Sequence, residues 1–334
     1  MIPGKVAAYG ELLFRITPNP RIFSAEFSLG GAELNVATAL ATWGVDTAYI
    51  SRLPENVLSE NVEKLVQELG IDTSRMLWGG ERIGIYYMQT GGDMQSSSVV
   101  YDRKYSAFSE IQPGTIDWDR CLDGITWLHW TAITPALNAN AVIVCREILE
   151  SARKKNIFIS TDLNNRRLLW KYGKSPFEVM PDLVQYCDVL MGNIWAASEM
   201  LAVNWDENLL IRGDKESCKD MAAQVAEKIM TTFPQCKQVA FTFRFTEPNG
   251  HLNYFATLSN YSGLFESINF RKDSVVDSVG SGDSFMAGLI YGMLQNMSSQ
   301  QLINFAAASA VSKLNIKGDA NTTPVNKIEE LLTR

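Results

Sequence analysis

Residues 277–294 read DSVGSGDSFMAGLIYGML: an acid, a glycine-rich turn, a second acid and then a long apolar run. RKDSVV (271–276) just upstream has the β-branched character of a strand, and the run downstream has the composition of a buried helix. A chain that passes from strand to helix through Gly280 and Gly282 places the backbone N–H groups of Gly280, Ser281, Gly282 and Asp283 at a helix N-terminus. Unpaired donors and the helix dipole favour an anion there. Asp283 in such a string is either an ordinary cap or an acid set beside that anion site. Capping alone does not call for two glycines before the acid. The dipole also stabilises the charged form of an acid in the first turn, which makes it a weak base, suited to a proton released late. Phosphoryl transfer to a hydroxyl is such a reaction, because positioning and charge stabilisation carry most of its catalysis. Gly288 and Gly292 each cost about 1 kcal/mol in a helix relative to Ala, so their face is expected to have something packed closely against it.

The familiar phosphate motifs fail on spacing. There is no GxxxxGK[ST] loop, GSGDSF lacks the third glycine of a GxGxxG dinucleotide fingerprint, and the protein-kinase motif set is missing. A nicotinamide oxidoreductase is therefore disfavoured. Working outward, apolar runs alternate with amphipathic stretches. KVAAYGELL, TAYISRL, ITWLHW, NIFISTDL, CDVLMGN and QVAFTFR read as strands; AELNVATALATWG, SENVEKLVQELG, NAVIVCREILESARKKN and DMAAQVAEKIMTTF carry helical periodicity. That order predicts an α/β fold with a mostly parallel sheet covered by helices on both faces. Two segments break the rhythm. Residues 12–29 and 83–109 are rich in aromatic and β-branched residues, with turn signals TPNP and TGGD, and predict hairpins that form a lid on a single domain spanning 1–334.

A chain of 334 residues with 46% hydrophobic content can bury a large core. Its net charge of −7 argues against a nucleic-acid partner, which needs a basic face. No apolar stretch is long and uninterrupted enough to predict a membrane span or an export signal. The five cysteines lie far apart, without a CxxC pair, which points to a reducing cytoplasm. Only two histidines occur, so a His-rich metal centre is disfavoured and a Ser-His-Asp triad could use only His129 or His251. His129, in WLHWT, reads as a packed strand residue, and His251, after PNG, as a solvated turn residue. Trp118, Trp127, Trp130 and Trp170 read as packing groups.

DSVGSGD resembles the C-terminal motif of the ribokinase-like, PfkB-type carbohydrate kinases, close to D-T-x-G-A-G-D, and SLGGAELNVATALATWG at 28–44 is similar to their N-terminal motif. The resemblance runs through most of the chain and implies a ribokinase-like three-layer α/β/α fold with a small β-sheet lid. It implies that Asp283 is the catalytic base, that Gly280, Ser281 and Gly282 form the anion hole, and that Asp277 arranges the turn and a nearby cation. Mg-ATP is the implied phosphoryl donor. Some members of the family also bind K⁺, which the sequence leaves open, and the ligands of any metal stay unassigned.

Within that family the chain looks most like the 2-keto-3-deoxygluconate kinases, through GGAELNVA, GIYY, VVYDRKYSAFS, LHWTAITPAL and DLNNRRLLW. The resemblance implies that Gly31 and Asn35 bind sugar hydroxyls, that Tyr86 and Tyr101 line the pocket and that Ile133 touches the substrate. Arg103 and Arg166 taken alone read as a solvated charge and a loop ion-pair partner. In this context they are implied to hold a substrate carboxylate by charge-assisted bonds. Nucleotide contacts are implied for Asn193, Thr242, Arg244, Gly280, Gly282, Ala307 and Asn321. Two departures stand out: Ala196 occupies the acid position of an N-x-x-E element, with Glu199 one turn further on, and TFRF replaces a Thr or Lys followed by a residue and glycine. A neutral-sugar kinase and a non-catalytic sugar-acid sensor remain as rivals. Family members often pair through the lid, so a homodimer is expected; Phe14, Phe23, Phe27 and Tyr87 read equally as contacts between two lids or as packing groups inside one.

Overall fold

In the computed structural model, which describes residues 4–19, 22, 24–89, 98–205, 214–247 and 250–333, the apolar runs form one large sheet. Its order is β15 (Gly263–Glu266), β14 (Leu252–Asn260), β13 (Gln238–Thr246), β12 (Val189–Gly192), β11 (Phe158–Asp162), β10 (Ile125–Thr131), β1 (Lys5–Tyr9), β4 (Thr47–Ile50) and β6 (Ile71–Asp72), with β16 (Phe270–Lys272) also paired to β14. Pairing is parallel from β6 through β13, and β14 to β16 add antiparallel strands. The central strands lack polar alternation because both of their faces are covered. Ala7 and Tyr9 of β1 join a core with α4 (Ala139–Lys154), α5 (Pro176–Val184), α6 (Ile194–Leu201) and α7 (Lys215–Thr232). Val6 joins one built on α1 (Ala32–Thr42), α8 (Ser281–Leu294) and α9 (Ser299–Lys313). The remaining described helices are α2 (Val57–Glu68), α3 (Trp118–Cys121), α10 (Val325–Glu329) and a 3-10 turn at Glu330–Leu332. This is the three-layer arrangement expected from the sequence.

The glycines of α8 mark a tight helix pair. A Cβ on Gly288 would lie 2.4 Å from Ser309 Oγ and 2.7 Å from Ala306 Cα, and one on Gly292 would lie 2.6 Å from Leu302 Cδ1, all in α9. Ser284 Oγ donates to Ser309 O at 2.8 Å and Ser309 Oγ to Ser284 O at 2.9 Å, closing the seam with reciprocal bonds.

The two segments that broke the rhythm form a separate sheet of order β3 (Ser24–Gly30), β2 (Leu13–Asn19), β8 (Gly84–Gln89) and β9 (Ser98–Asp102). A short parallel pair, β5 (Arg52–Leu53) and β7 (Leu77–Trp78), stands apart from both sheets. Phe14 is buried and packs at a tilt against Phe27, with ring centroids 4.3 Å apart, and Phe27 is 57% exposed. Phe23 and the TGGD turn lie outside the described residues. One reading fails: RKDSVV is strand only as far as Lys272, because it then leaves its partner β14, and Val276 N–H donates instead to Leu314 O at the end of α9. His129 is buried with Nδ1 3.0 Å from Ser160 Oγ, and burial lowers its pKa to about 3, as befits a neutral packing group. Among the described residues no helix is long and apolar enough to cross a membrane.

Candidate active site

Parallel strands send their C-terminal ends to the same edge of a sheet, where the loops that follow can converge on a ligand. Here that edge carries a cavity of about 500 Å³, within the usual range for a small-molecule site. Asp162 closes β11, Gly192 closes β12 and the glycine-rich turn opens α8; all three line the cavity. The lid contributes Tyr86, Met88, Val99 and Tyr101, with Arg103 just beyond β9. Lid and sheet thus enclose one space.

Gly280 precedes α8 in the left-handed region (φ 75°), and a Cβ there would fall 1.7 Å from Asp319 O. Only glycine fits. Gly31, before α1, has φ 141° and leaves no room for a Cβ beside Glu11 O. These two turns bring the two glycine-rich segments together: Asn35 Nδ2 donates to Asp283 Oδ2 at 2.7 Å.

Asp283 is buried, and its pKa is raised to about 7, first by desolvation, with the Asn35 hydrogen bond and Arg166 opposing. Burial thus acts against the helix dipole at this carboxyl. Asp162 faces the same space, and burial followed by the Asp283 charge raises its pKa to about 8. Arg166 and Arg244 line the cavity with no side-chain hydrogen bond or ion pair among the described residues, so both cations are available to an anionic ligand. Arg103 is buried and already paired, its Nε donating to Glu11 Oε2 at 2.6 Å. Tyr86 OH donates to Asp319, which also receives Arg15 from the lid.

The profile described as "pfkB family carbohydrate kinase" matches residues 4–233 and 255–326, most of the chain. The chain belongs to this family. Its fold superposes on the crystal structure of 2-dehydro-3-deoxygluconokinase from Thermotoga maritima with a TM-score of 0.89 and 32% identity, covering 99% of this chain and 98% of that one. It is 25% identical over 334 residues to 2-dehydro-3-deoxygalactonokinase of Haloferax volcanii, covering 98% of this chain and 96% of that protein. It is 27% identical over 305 residues to 2-dehydro-3-deoxygluconokinase of Bacillus subtilis, covering 90% and 84% of the respective chains.

Within this pfkB kinase, Gly31, Asn35, Tyr86, Tyr101, Arg103, Ile133, Arg166, Asn193, Thr242, Arg244, Gly280, Gly282 and Asp283 all line the one cavity. Ser281 does not; its hydroxyl donates to Ala310 O at 3.2 Å, which leaves only its backbone N–H to the turn. Ala307 and Asn321 do not line the cavity either. Ala307 is fully buried in the core, and Asn321 Nδ2 is spent on Ser284 Oγ, Ser309 O and Ser312 Oγ, which pins α8 to α9. Glu199 lies away from the cavity in an ion pair with Arg167 at 2.6 Å, while Asn193 caps α6 by accepting from Ala196 N–H at 2.8 Å. The sequence reading missed Glu11, Asp162 and Asp319. The DLNNRR string held a signal for Asp162, an acid at the end of a buried strand, where open α/β sheets place ligands.

Proposed function

We propose that this kinase transfers the γ-phosphate of ATP to the C6 hydroxyl of 2-keto-3-deoxygluconate, giving 2-keto-3-deoxy-6-phosphogluconate. The observation that carries the reading is the placement of Asp283. It is an acid with a raised pKa at the anion-binding end of α8, in a cavity that also holds Arg166 and Arg103. Asp283 takes the hydroxyl proton as O6 bonds to the γ-phosphorus and the bond to the ADP oxygen breaks. The N–H groups of Gly280, Ser281 and Gly282 hold the transferring oxygens, with Arg244 beside them. Asn35 orients Asp283, and Gly31, Tyr86, Tyr101 and Ile133 shape the sugar end. Arg166 binds the substrate carboxylate, joined by the part of the Arg103 guanidinium that Glu11 leaves open.

No group of three or more His, Cys, Asp or Glu side chains among the described residues could hold a metal ion. Mg²⁺ would arrive on the nucleotide phosphates with few protein ligands and would neutralise their charge when bound. Asn193 and Thr242 lie on the nucleotide side. Lid and body work as one domain, five free thiols suit the cytoplasm, and two copies pair through their lids.

ADP release with Mg-ATP across 2-keto-3-deoxygluconate, its C4 epimer, gluconate, fructose and ribose tests the reading. Selective turnover of the keto-deoxy acids is expected, lost with loss of selectivity in Arg166→Met. Turnover of fructose alone would remove the carboxylate role of the arginines. ATP binding without turnover of any of them would favour a sensor, a reading that the displaced Glu199 keeps in view.

A further inference from the structure

A lysine is almost never fully buried without partners, yet Lys313, at the end of α9, exposes none of its surface. Its Nζ donates to Asp277 O at 3.3 Å and to Ile316 O at 3.0 Å. These carbonyls belong to the two loops that shape the anion turn. Residues 277–280 run directly into α8, and the loop after Ile316 carries the Asp319 carbonyl against which Gly280 packs. Carboxylates stiffen both loops: Asp277 accepts from Val279 N–H at 3.0 Å and from Gly318 N–H at 3.2 Å. Arg15 reaches in from the lid to Asp277, at 3.2 Å, and to Asp319. Two cations and two anions make this buried cluster neutral as it stands. An additional cation would leave an unpaired buried charge, which is strongly disfavoured. Burial pushes the Lys313 ammonium toward losing its proton, and Asp277 and Asp319 oppose that.

Carbonyl oxygens in a dry site can replace the hydration shell of K⁺, and an ammonium presents a comparable charge to the same oxygens. We propose that Lys313 is a built-in cation that takes the oxygens a potassium ion would use, so that the anion turn is set without a monovalent metal ion. Lys313 is a positioning residue: it ties the 277–280 loop to the 316–319 loop and so fixes the N–H groups of the turn. The inference rests on reading that turn as the phosphate site.

The test compares KCl, NaCl and tetramethylammonium chloride at equal ionic strength, reading ADP release, Mg-ATP affinity and melting temperature. For the native protein all three are expected to agree within about twofold in rate and affinity and about 1 °C in Tm, because no site is left for mass action to fill. A native enzyme that loses most of its turnover, its nucleotide affinity or several degrees of Tm without K⁺ would overturn the proposal. Lys313→Met and Lys313→Ala are expected to lose at least about tenfold in rate in tetramethylammonium. Addition of K⁺ or NH₄⁺ should then raise the Tm of Lys313→Ala while leaving the native Tm unchanged. Full turnover of either variant in tetramethylammonium would also overturn it. If a variant does not fold, the native comparison decides. If none of the proposed sugars is turned over, the Tm and nucleotide-affinity arms still decide, so failure of the substrate reading is separable from failure of this one.

Discussion

Asp283 sits in the first turn of α8 with Oδ2 bonded to Asn35, and two opposing effects act on it. The helix N-terminus favours the carboxylate and burial favours the neutral acid; burial, opposed by the Asn35 hydrogen bond and Arg166, raises the pKa to about 7. A base must be ionised to accept a proton, so kcat/KM is expected to rise between about pH 5.5 and 8. Because Asp162 titrates nearby, the profile reports apparent values of the pair. Asp283→Asn should lower kcat by about 10²–10⁴-fold while leaving sugar binding measurable by calorimetry. Near-normal kcat in that variant would remove Asp283 from the chemistry. The same shifts set a trend in stability. Carboxyls with raised folded pKa values keep protons that the unfolded chain releases, so the stability they confer is complete below about pH 4 and is lost as pH rises through about 7 to 8. Tm should therefore fall across that window, and fall less steeply in Asp162→Asn.

At the level of elements, most of the chain was legible because local pattern and tertiary role agree. Unbroken apolar runs became central strands, 3.6-period stretches became the covering helices, and Gly288 and Gly292 marked the α8–α9 contact. Where pattern lacked a partner it misled: RKDSVV has strand composition, but beyond Lys272 no strand edge continues beside it. Asp162, Asp319 and Glu11 are single acids in strand-end and loop segments whose convergence is created by the sheet order, so no local spacing could reveal the cluster. Glu199 shows the converse, since one helical turn of displacement sends it to Arg167. The α8–α9 seam yields its own prediction. Gly288→Ala improves helix propensity by about 1 kcal/mol, but its methyl would sit 2.7 Å from Ala306 Cα, a backbone neighbour that moves only with its helix. Overpacking of this kind costs about 1–3 kcal/mol. The variant is thus expected to unfold at lower urea than the native protein; an unchanged or higher midpoint would show that the helices separate freely.

For the molecule as a whole, the lid is fastened to the body at the loops that shape the anion turn. Arg15 and Tyr86 reach Asp319, Arg15 also reaches Asp277, and Lys317 pairs with Glu26 at 2.6 Å. A change in lid position is thereby felt at Gly280 through Asp319. Among the described residues the two edges of this small sheet, β3 and β9, have no further strand beside them, and they expose Phe27 and Val100 at 57% and 60%. Exposed apolar edge strands invite pairing with another chain. Lid-to-lid association would cover them and restrain the strands that carry Tyr86 and Tyr101, with Arg103 just beyond β9, toward the cavity. Sedimentation of the native protein at micromolar concentration is expected to give a dimer. Phe27→Lys combined with Val100→Lys should give a folded monomer with a raised KM for the sugar, since neither side chain lines the cavity. A native monomer would remove the association, and a double variant that remains dimeric would place the contact elsewhere; either would leave lid closure to the Arg15 and Tyr86 contacts alone.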